Sequence, residues 1–182
     1  MSETRDQLKQ IAATQIRQKN LAAASFREMG KAAGIKSSSV HYHFKSRDAL
    51  LLEVLQDYIV QFSAELDSRT EDISSPRQRM LCLFDLCSEE VIEGQQSLLL
   101  AYIAGRHELT DASREALSGF LEYLYQWLLE SLTSARFLPV PRESLARVIV
   151  AAIEGAALAD CGRGGNDHLT TVREWITSLT RL

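Results

Sequence analysis

Apolar residues recur every three to four positions through most of this chain, and runs alternating every second position are few, so the pattern predicts an almost wholly helical protein. A first helix spans about Asp6–Lys19, with Leu8, Ile11, Ala12 and Ile16 along one side, while the polar residues 1 to 6 before it read as a frayed arm. Leu21 then staples the start of a second helix from outside. That helix begins near Phe26, because Ser25 and Glu28 stand at capping-box spacing, hydroxyl and carboxylate each satisfying a backbone donor of the first turn. Phe26, Met29 and Ala33 share a face, and Gly34 follows where a left-handed residue ends a helix at little cost. Ile35 plugs the turn, and Ser37, Ser38 and Ser39 offer hydroxyls to cap a third helix over Ser37–His43, the cap falling on Ser37. Two short helices joined by a tight glycine-containing turn make a helix-turn-helix.

Ser46 caps a long helix from Arg47 to about Leu66, with Leu50, Leu51, Val54, Leu55, Tyr58 and Phe62 inward, and the polar stretch Asp67–Pro76 breaks it. The next helix runs from Pro76 or Arg77 to Glu93 with the stripe Met80, Leu83, Phe84, Cys87 and Val91, and Gly94 ends it. Ser97–His107 is apolar nearly all round, through Leu98, Leu99, Leu100, Tyr102 and Ile103, and is therefore expected to be buried. Asp111 opens a helix with Leu117, Phe120, Leu121, Leu124, Leu128 and Leu132 inward, and Pro139 and Pro141 mark a further break. In the helix that follows, Leu145, Val148, Ile149, Ala152, Ile153 and Ala156 form a wide stripe, flanked by small residues at Ala151, Gly155 and Ala159. Gly162, Gly164 and Gly165 end it, and Leu169, Val172, Ile176 and Leu179 stripe the last helix. The expected fold is all-α with about nine helices: a three-helix head over residues 1–47 and a larger helical domain over 48–182.

The helix Ser37–His43 differs in kind from the rest. Val40 and Phe44 are its only strong core anchors, and its other positions turn hydrogen-bonding groups outward. Ser37, Ser38 and Ser39 suit base edges in a major groove, whereas His41, Tyr42, His43, Lys45 and Arg47 suit phosphate oxygens, with Lys36 at the helix start and Arg27 in support from the preceding helix. Charge sharpens this. The net charge of −4 over 182 residues is wrong for nucleic acid when taken whole. Residues 1 to 47, however, hold nine Lys or Arg against three acids, or +6, and the remaining 135 hold eleven against twenty-one, or −10. All five lysines, Lys9, Lys19, Lys31, Lys36 and Lys45, lie in the first segment, a basic head on an acidic body that DNA would repel.

Residues 8 to 54 resemble the N-terminal domain of the tetracycline-repressor (TetR) family of transcriptional regulators. The likeness runs through Ile11-Ala12, Ile16, Ser25-Phe26-Arg27, Met29, Ala32-Ala33-Gly34-Ile35, Val40-His41-Tyr42-His43-Phe44 and Lys45-Ser46-Arg47-Asp48-Ala49-Leu50-Leu51. It departs at Asn20, where the family has Gly and where Asn tolerates the left-handed conformation, at Lys36 in place of a serine cap, and at His41 in place of a backbone-touching tyrosine. The resemblance implies a homodimeric repressor released from a palindromic DNA operator by a small-molecule effector. It also implies that the last two helices pair with their copies, through Leu145, Ile149, Ala152, Ile153, Ala156, Val172, Ile176 and Leu179.

Other chemistry finds no foothold. No nucleophile elbow, phosphate loop, dinucleotide fingerprint or zinc-protease pattern occurs, so no enzyme, cofactor or metal site is expected. His41 and His43, two apart on a helix, make a poor metal pair. Cys82 and Cys87 are five apart, ~7.5 Å along a helix, beyond disulfide reach. With Cys161 they make an odd number without a scaffold spacing, which with no apolar leader or membrane-length run points to the cytoplasm. Tyr102, Arg106, His107, Tyr123 and Trp127 are the candidates to line an effector pocket. Two alternatives stay open: a DNA-binding regulator controlled by cysteine oxidation or a protein partner, and a helical small-molecule-binding module without DNA binding.

Overall fold

The computed structural model describes residues 3–89, 91, 95–135 and 138–179. Among these residues the chain forms nine α-helices, two 3-10 turns and no strand. In order they are α1 Glu3–Gln18, a 3-10 turn at Leu21–Ala23, α2 Phe26–Ala33, α3 Ser37–His43 and α4 Arg47–Thr70. There follow α5 Pro76–Glu89, α6 Leu98–Ala104, a second 3-10 turn at Arg106–Glu108, α7 Asp111–Ser131, α8 Arg142–Arg163 and α9 Asp167–Ser178. None of these helices is long and apolar enough to cross a membrane.

The helical class matches the sequence pattern, and several ends do not. The arm expected to fray is helix from Glu3 onward, because Arg5 donates to Glu53 on α4 at 2.5 Å and lies over the Phe44 ring at 4.8 Å. Helix α4 runs one turn beyond Leu66. There the buried Thr70 hydroxyl donates back to the Leu66 carbonyl, and the Arg79 guanidinium donates to the Thr70 carbonyl at 3.1 Å, satisfying an end group that would otherwise lack a partner. Val91, expected within α5, is half-buried and lies past its end at Glu89, while Glu93 and Gly94, expected to close that helix, lie outside the described residues. The stretch 97–107 is not one helix. It breaks at Gly105, where an added Cβ would meet Leu21 Cδ1 at 2.4 Å and force that side chain to shift.

By packing, the chain forms two compact units, one of Met1–Gln61 with Leu98–Ser118 and one of Phe62–Ser97 with Gly119–Leu182. The expected division after residue 47 falls within the first of these units. In the first unit α1 packs on α2 and α6, and α2 packs on α3. Leu8, Ala12, Ile16, Met29, Val40, Leu50, Leu55 and Tyr102 are fully buried there. The Tyr102 hydroxyl donates to the Leu51 carbonyl at 2.7 Å, and burial pushes its phenol far above the ordinary range. Lys9 is also buried, its ammonium held between Asp57 and Asp6, and these hydrogen bonds outweigh desolvation and raise its pKa.

In the second unit α5, α8 and α9 pack on one another. Phe62 and Phe120 meet edge to face at 5.4 Å, above a core that includes Met80, Leu83, Leu128 and Ile149. Arg79 covers the Trp127 ring at 4.8 Å and donates to the Ser131 hydroxyl at 2.9 Å. Two acids of α8 are buried with partners: Glu154 accepts from Ser97 at 2.6 Å, and Asp160 accepts the backbone N–H groups of His168 at 3.1 Å and Leu169 at 2.9 Å. Asp160 thereby caps α9 from the preceding helix.

The stripe expected to face a second copy is largely interior to this unit. Leu145, Ile149, Ile153, Ala156, Ile176 and Leu179 are buried, and Ala152 and Val172 are half-buried. Helix α8 is apolar nearly all round, so its other face, through Val148, Ala151, Gly155 and Leu158, is exposed, with 48% of Val148 and 53% of Leu158 accessible.

Candidate nucleic-acid interface

The helix-turn-helix is assembled by local chemistry. Ser25 has extended backbone angles and its hydroxyl accepts the Glu28 N–H at 3.3 Å, the first half of the expected capping box. The second half is absent. The Ser25 N–H donates to the Ala23 carbonyl at 2.9 Å instead, and the Glu28 carboxylate pairs with Arg27 at 3.3 Å. Asn20 is extended rather than left-handed. Its side chain accepts the Ala23 N–H at 3.2 Å and so caps the 3-10 turn that leads into α2.

At the far end of α2, Gly34 is left-handed, with φ 69° and ψ 23°. The Ile35 N–H returns to the Gly30 carbonyl at 2.9 Å and the Gly34 N–H to the Lys31 carbonyl at 3.4 Å, the paired bonds of a Schellman stop. Gly30 itself is a residue that pattern reasoning missed. A Cβ there would stand 2.8 Å from the Ile35 carbonyl oxygen and 3.2 Å from the Ser37 nitrogen, so its bare backbone is what lets the turn fold closely over α2.

Helix α3 has no side-chain cap. Lys36 occupies the cap position with no side-chain bond, and Ser37 is already helical, which corrects the expected cap at Ser37. Lys36, Ser37, Ser38 and Ser39 are all exposed, and no hydrogen bond among the described residues engages the three hydroxyls. The helix is anchored by Val40 and Phe44, both buried. The two rings that the sequence could not rank are distinguished. His41 sets its ring against Phe26, edge to face at 4.5 Å, whereas Tyr42 is 88% exposed and leans only on His43 at 5.5 Å. Tyr42 is thus the ring with its hydroxyl in solvent.

The basic residues divide in the same manner. Lys31, Lys36 and Lys45 are exposed, and Arg27 is exposed beside Glu28. Arg5 and Lys9 are engaged with Glu53 and Asp57. Arg47, expected to grip phosphate, is only half exposed and directs its guanidinium inward, to the Leu21 carbonyl at 2.6 Å and to Glu108 at 3.2 Å.

The effector candidates do not share one environment. Tyr102 is interior to the first unit, while Arg106 and His107 are exposed on its second 3-10 turn. Tyr123 and Trp127 belong to the second unit. Tyr123 is half-buried and its hydroxyl donates to Asp67 at 3.3 Å. Trp127 is buried, and its indole N–H has no acceptor among the described residues.

Residues 10–54 match the model of the family described as "Bacterial regulatory proteins, tetR family". The chain is 32% identical over 107 residues to the HTH-type transcriptional repressor KstR2 of Mycolicibacterium smegmatis, covering 59% of this chain and 52% of that protein. It is 26% identical over 149 residues to the probable HTH-type transcriptional regulator YttP of Bacillus subtilis, covering 76% of this chain and 70% of that one. The chain spans about half the length of the KstR2 proteins of M. smegmatis and Mycobacterium tuberculosis that it matches. Among solved structures, a TetR transcriptional regulator from Legionella pneumophila superposes with a TM-score of 0.90 at 24% identity, over 100% of this chain and 99% of that one, a likeness of fold.

Proposed function

We propose that this chain, whose residues 10–54 are a TetR-family domain, is a homodimeric sequence-specific DNA-binding transcriptional regulator, a repressor released from a palindromic operator by a small-molecule effector. The observation that carries the proposal is the outward face of α3: three adjacent exposed serines and an exposed tyrosine on a helix pinned by Val40 and Phe44. A short helix with such a face has hydrogen-bonding groups for base edges and none for a core of its own. The names of the relatives, repressors and a regulator of the helix-turn-helix type, support the same function.

In this proposal residues 1–47 are the reading head and 48–182 the effector-binding and dimerisation part. Ser37, Ser38 and Ser39 meet bases; Lys36, Tyr42, His43 and Lys45 meet phosphates, with Arg27 beside them. His41 braces α3 on Phe26 and presents only its free edge. The self-association face is the exposed side of α8, Val148, Ala151, Gly155 and Leu158, because the apolar residues of the opposite side already form the chain's own core. An effector with a hydrogen-bond acceptor is favoured by the buried, unpaired indole N–H of Trp127, since such donors are rarely left without a partner.

The test is selection of bound sequences from random duplexes, repeated with a Lys36→Ala, Tyr42→Ala double variant. A two-fold symmetric site with half-sites about one helical turn apart, ~34 to 36 Å, is expected for the native chain, and poor enrichment for the variant. No enrichment by the native chain at near-physiological salt would overturn the proposal.

A further inference from the structure

The turn that leads into the helix-turn-helix, Leu21–Ala23, is gripped at its side chain and at its carbonyl by groups of the same unit. The buried Leu21 side chain lies so close to Gly105 that a Cβ on that glycine would come within 2.4 Å of it. The Leu21 carbonyl accepts the Ala24 N–H at 3.2 Å and, more closely, the Arg47 guanidinium at 2.6 Å. Arg47 is held in turn by Glu108 at 3.2 Å, and Glu108 lies on the same tight turn as Gly105. One guanidinium nitrogen, Nη2 of Arg47, therefore ties together the first residue of α4, the entry to α2 and the turn after α6.

We infer that Arg47 is a positioning residue of the reading head, which sets the attitude of α2 and α3 through Leu21 and is itself held by Glu108, and that it is not a phosphate ligand. The inference rests on the DNA-binding function proposed above. Turning to DNA would cost the Leu21 carbonyl its charged donor and leave the Glu108 carboxylate facing the phosphate anion. The half-exposed ion pair alone contributes little. The charge-assisted bond to the carbonyl contributes more, and both bonds leave one terminal nitrogen, Nη2, which stands one bond farther from the backbone than a lysine ammonium reaches.

The full chain, with a duplex recovered by selection, is titrated between about 50 and 200 mM salt. The native protein is compared with Arg47→Ala, Arg47→Lys, Glu108→Gln and Lys45→Ala, and amide hydrogen exchange of residues 21–44 is followed in each protein without DNA. Arg47→Ala and Arg47→Lys are expected to weaken binding about tenfold with the salt slope unchanged, as loss of a hydrogen bond to a charged group would. Glu108→Gln weakens it less, in the same direction, and all three accelerate exchange in residues 21–44. Lys45→Ala flattens the salt slope by ~0.9, as loss of one phosphate contact does. A slope flattened by ~0.9 in Arg47→Ala, or native affinity in Arg47→Lys, would overturn the inference. Should the native chain bind no DNA, the function proposal fails instead, and the exchange data still decide the matter: acceleration supports a positioning Arg47, and unchanged exchange refutes it.

Discussion

At the scale of single residues, two glycines within helices make opposite predictions. Gly30→Ala places a methyl 2.8 Å from a backbone carbonyl, and the clash, ~1–3 kcal/mol of overpacking, outweighs the ~1 kcal/mol that alanine contributes to a helix. Gly119 in α7 has nothing within 4 Å of the same position, so Gly119→Ala should stabilise by up to ~1 kcal/mol. Urea denaturation of both variants checks the pair. Tyr42→Ala, which removes a ring making little contact, should leave stability within ~0.5 kcal/mol while weakening DNA binding. Burial and the neighbouring Asp85 raise the Cys82 thiol above its ordinary pKa, so little of it is thiolate near neutrality and oxidation is disfavoured. A Cys82→Ser variant should accordingly keep any effector response, as measured by DNA release.

Residue by residue, what the sequence revealed was local. Ser25, Gly34 and Ser46 act on neighbours within five positions, and each does what its spacing implied, apart from the carboxylate half of the capping box. The positioning role inferred for Arg47 had no signal in the sequence, because one of its partners lies 61 positions away. Gly30 passed unnoticed because its constraint comes from the chain folding back over it, and His41 could be told from Tyr42 only once Phe26 was in place.

At the scale of elements, α8 shows where periodicity stops being informative. A stripe of apolar residues marks a buried face only when the rest of the helix is polar. Here the opposite face is also apolar or small, so the pattern could not say which side the chain covers for itself. The joint between α8 and α9 yields a pH prediction. Burial of Asp160 favours its protonated form, but the N–H groups of Leu169 and His168 and the His168 ring at 2.7 Å together favour the carboxylate more, and its pKa lies below the ordinary value. A carboxyl lowered by folding stabilises the native state above its unfolded pKa, ~3.9, and that contribution is lost as pH falls through the lower folded value. Asp160→Asn should therefore be less stable than the native chain at pH 7, with the difference shrinking in acid, as thermal melts at both pH values will show.

At the scale of the whole molecule, the charge asymmetry survives in altered form. Of the nine basic residues before Asp48, Arg5, Lys9 and Arg47 are matched by acids of α4 and the Arg106–Glu108 turn, so the head offers fewer cations to phosphate than its +6 implies. The salt dependence of DNA binding should correspond to the smaller set. The self-association proposed for the exposed side of α8 makes a second prediction: Leu158→Glu should leave the chain folded, because this side chain is 53% exposed, while sedimentation shows a single chain where the native protein is expected to sediment as two.

The lysines carry one more consequence. Every lysine of the chain lies in its first 45 residues, and of the five only Lys9 is buried. An amine-reactive acylating reagent thus becomes a footprinting agent for the head alone. Lys31, Lys36 and Lys45 should be labelled readily and shielded by a bound duplex, Lys9 should stay unmodified in either state, and mass spectrometry of a single digest would map the nucleic-acid contact with no background from the other three-quarters of the chain.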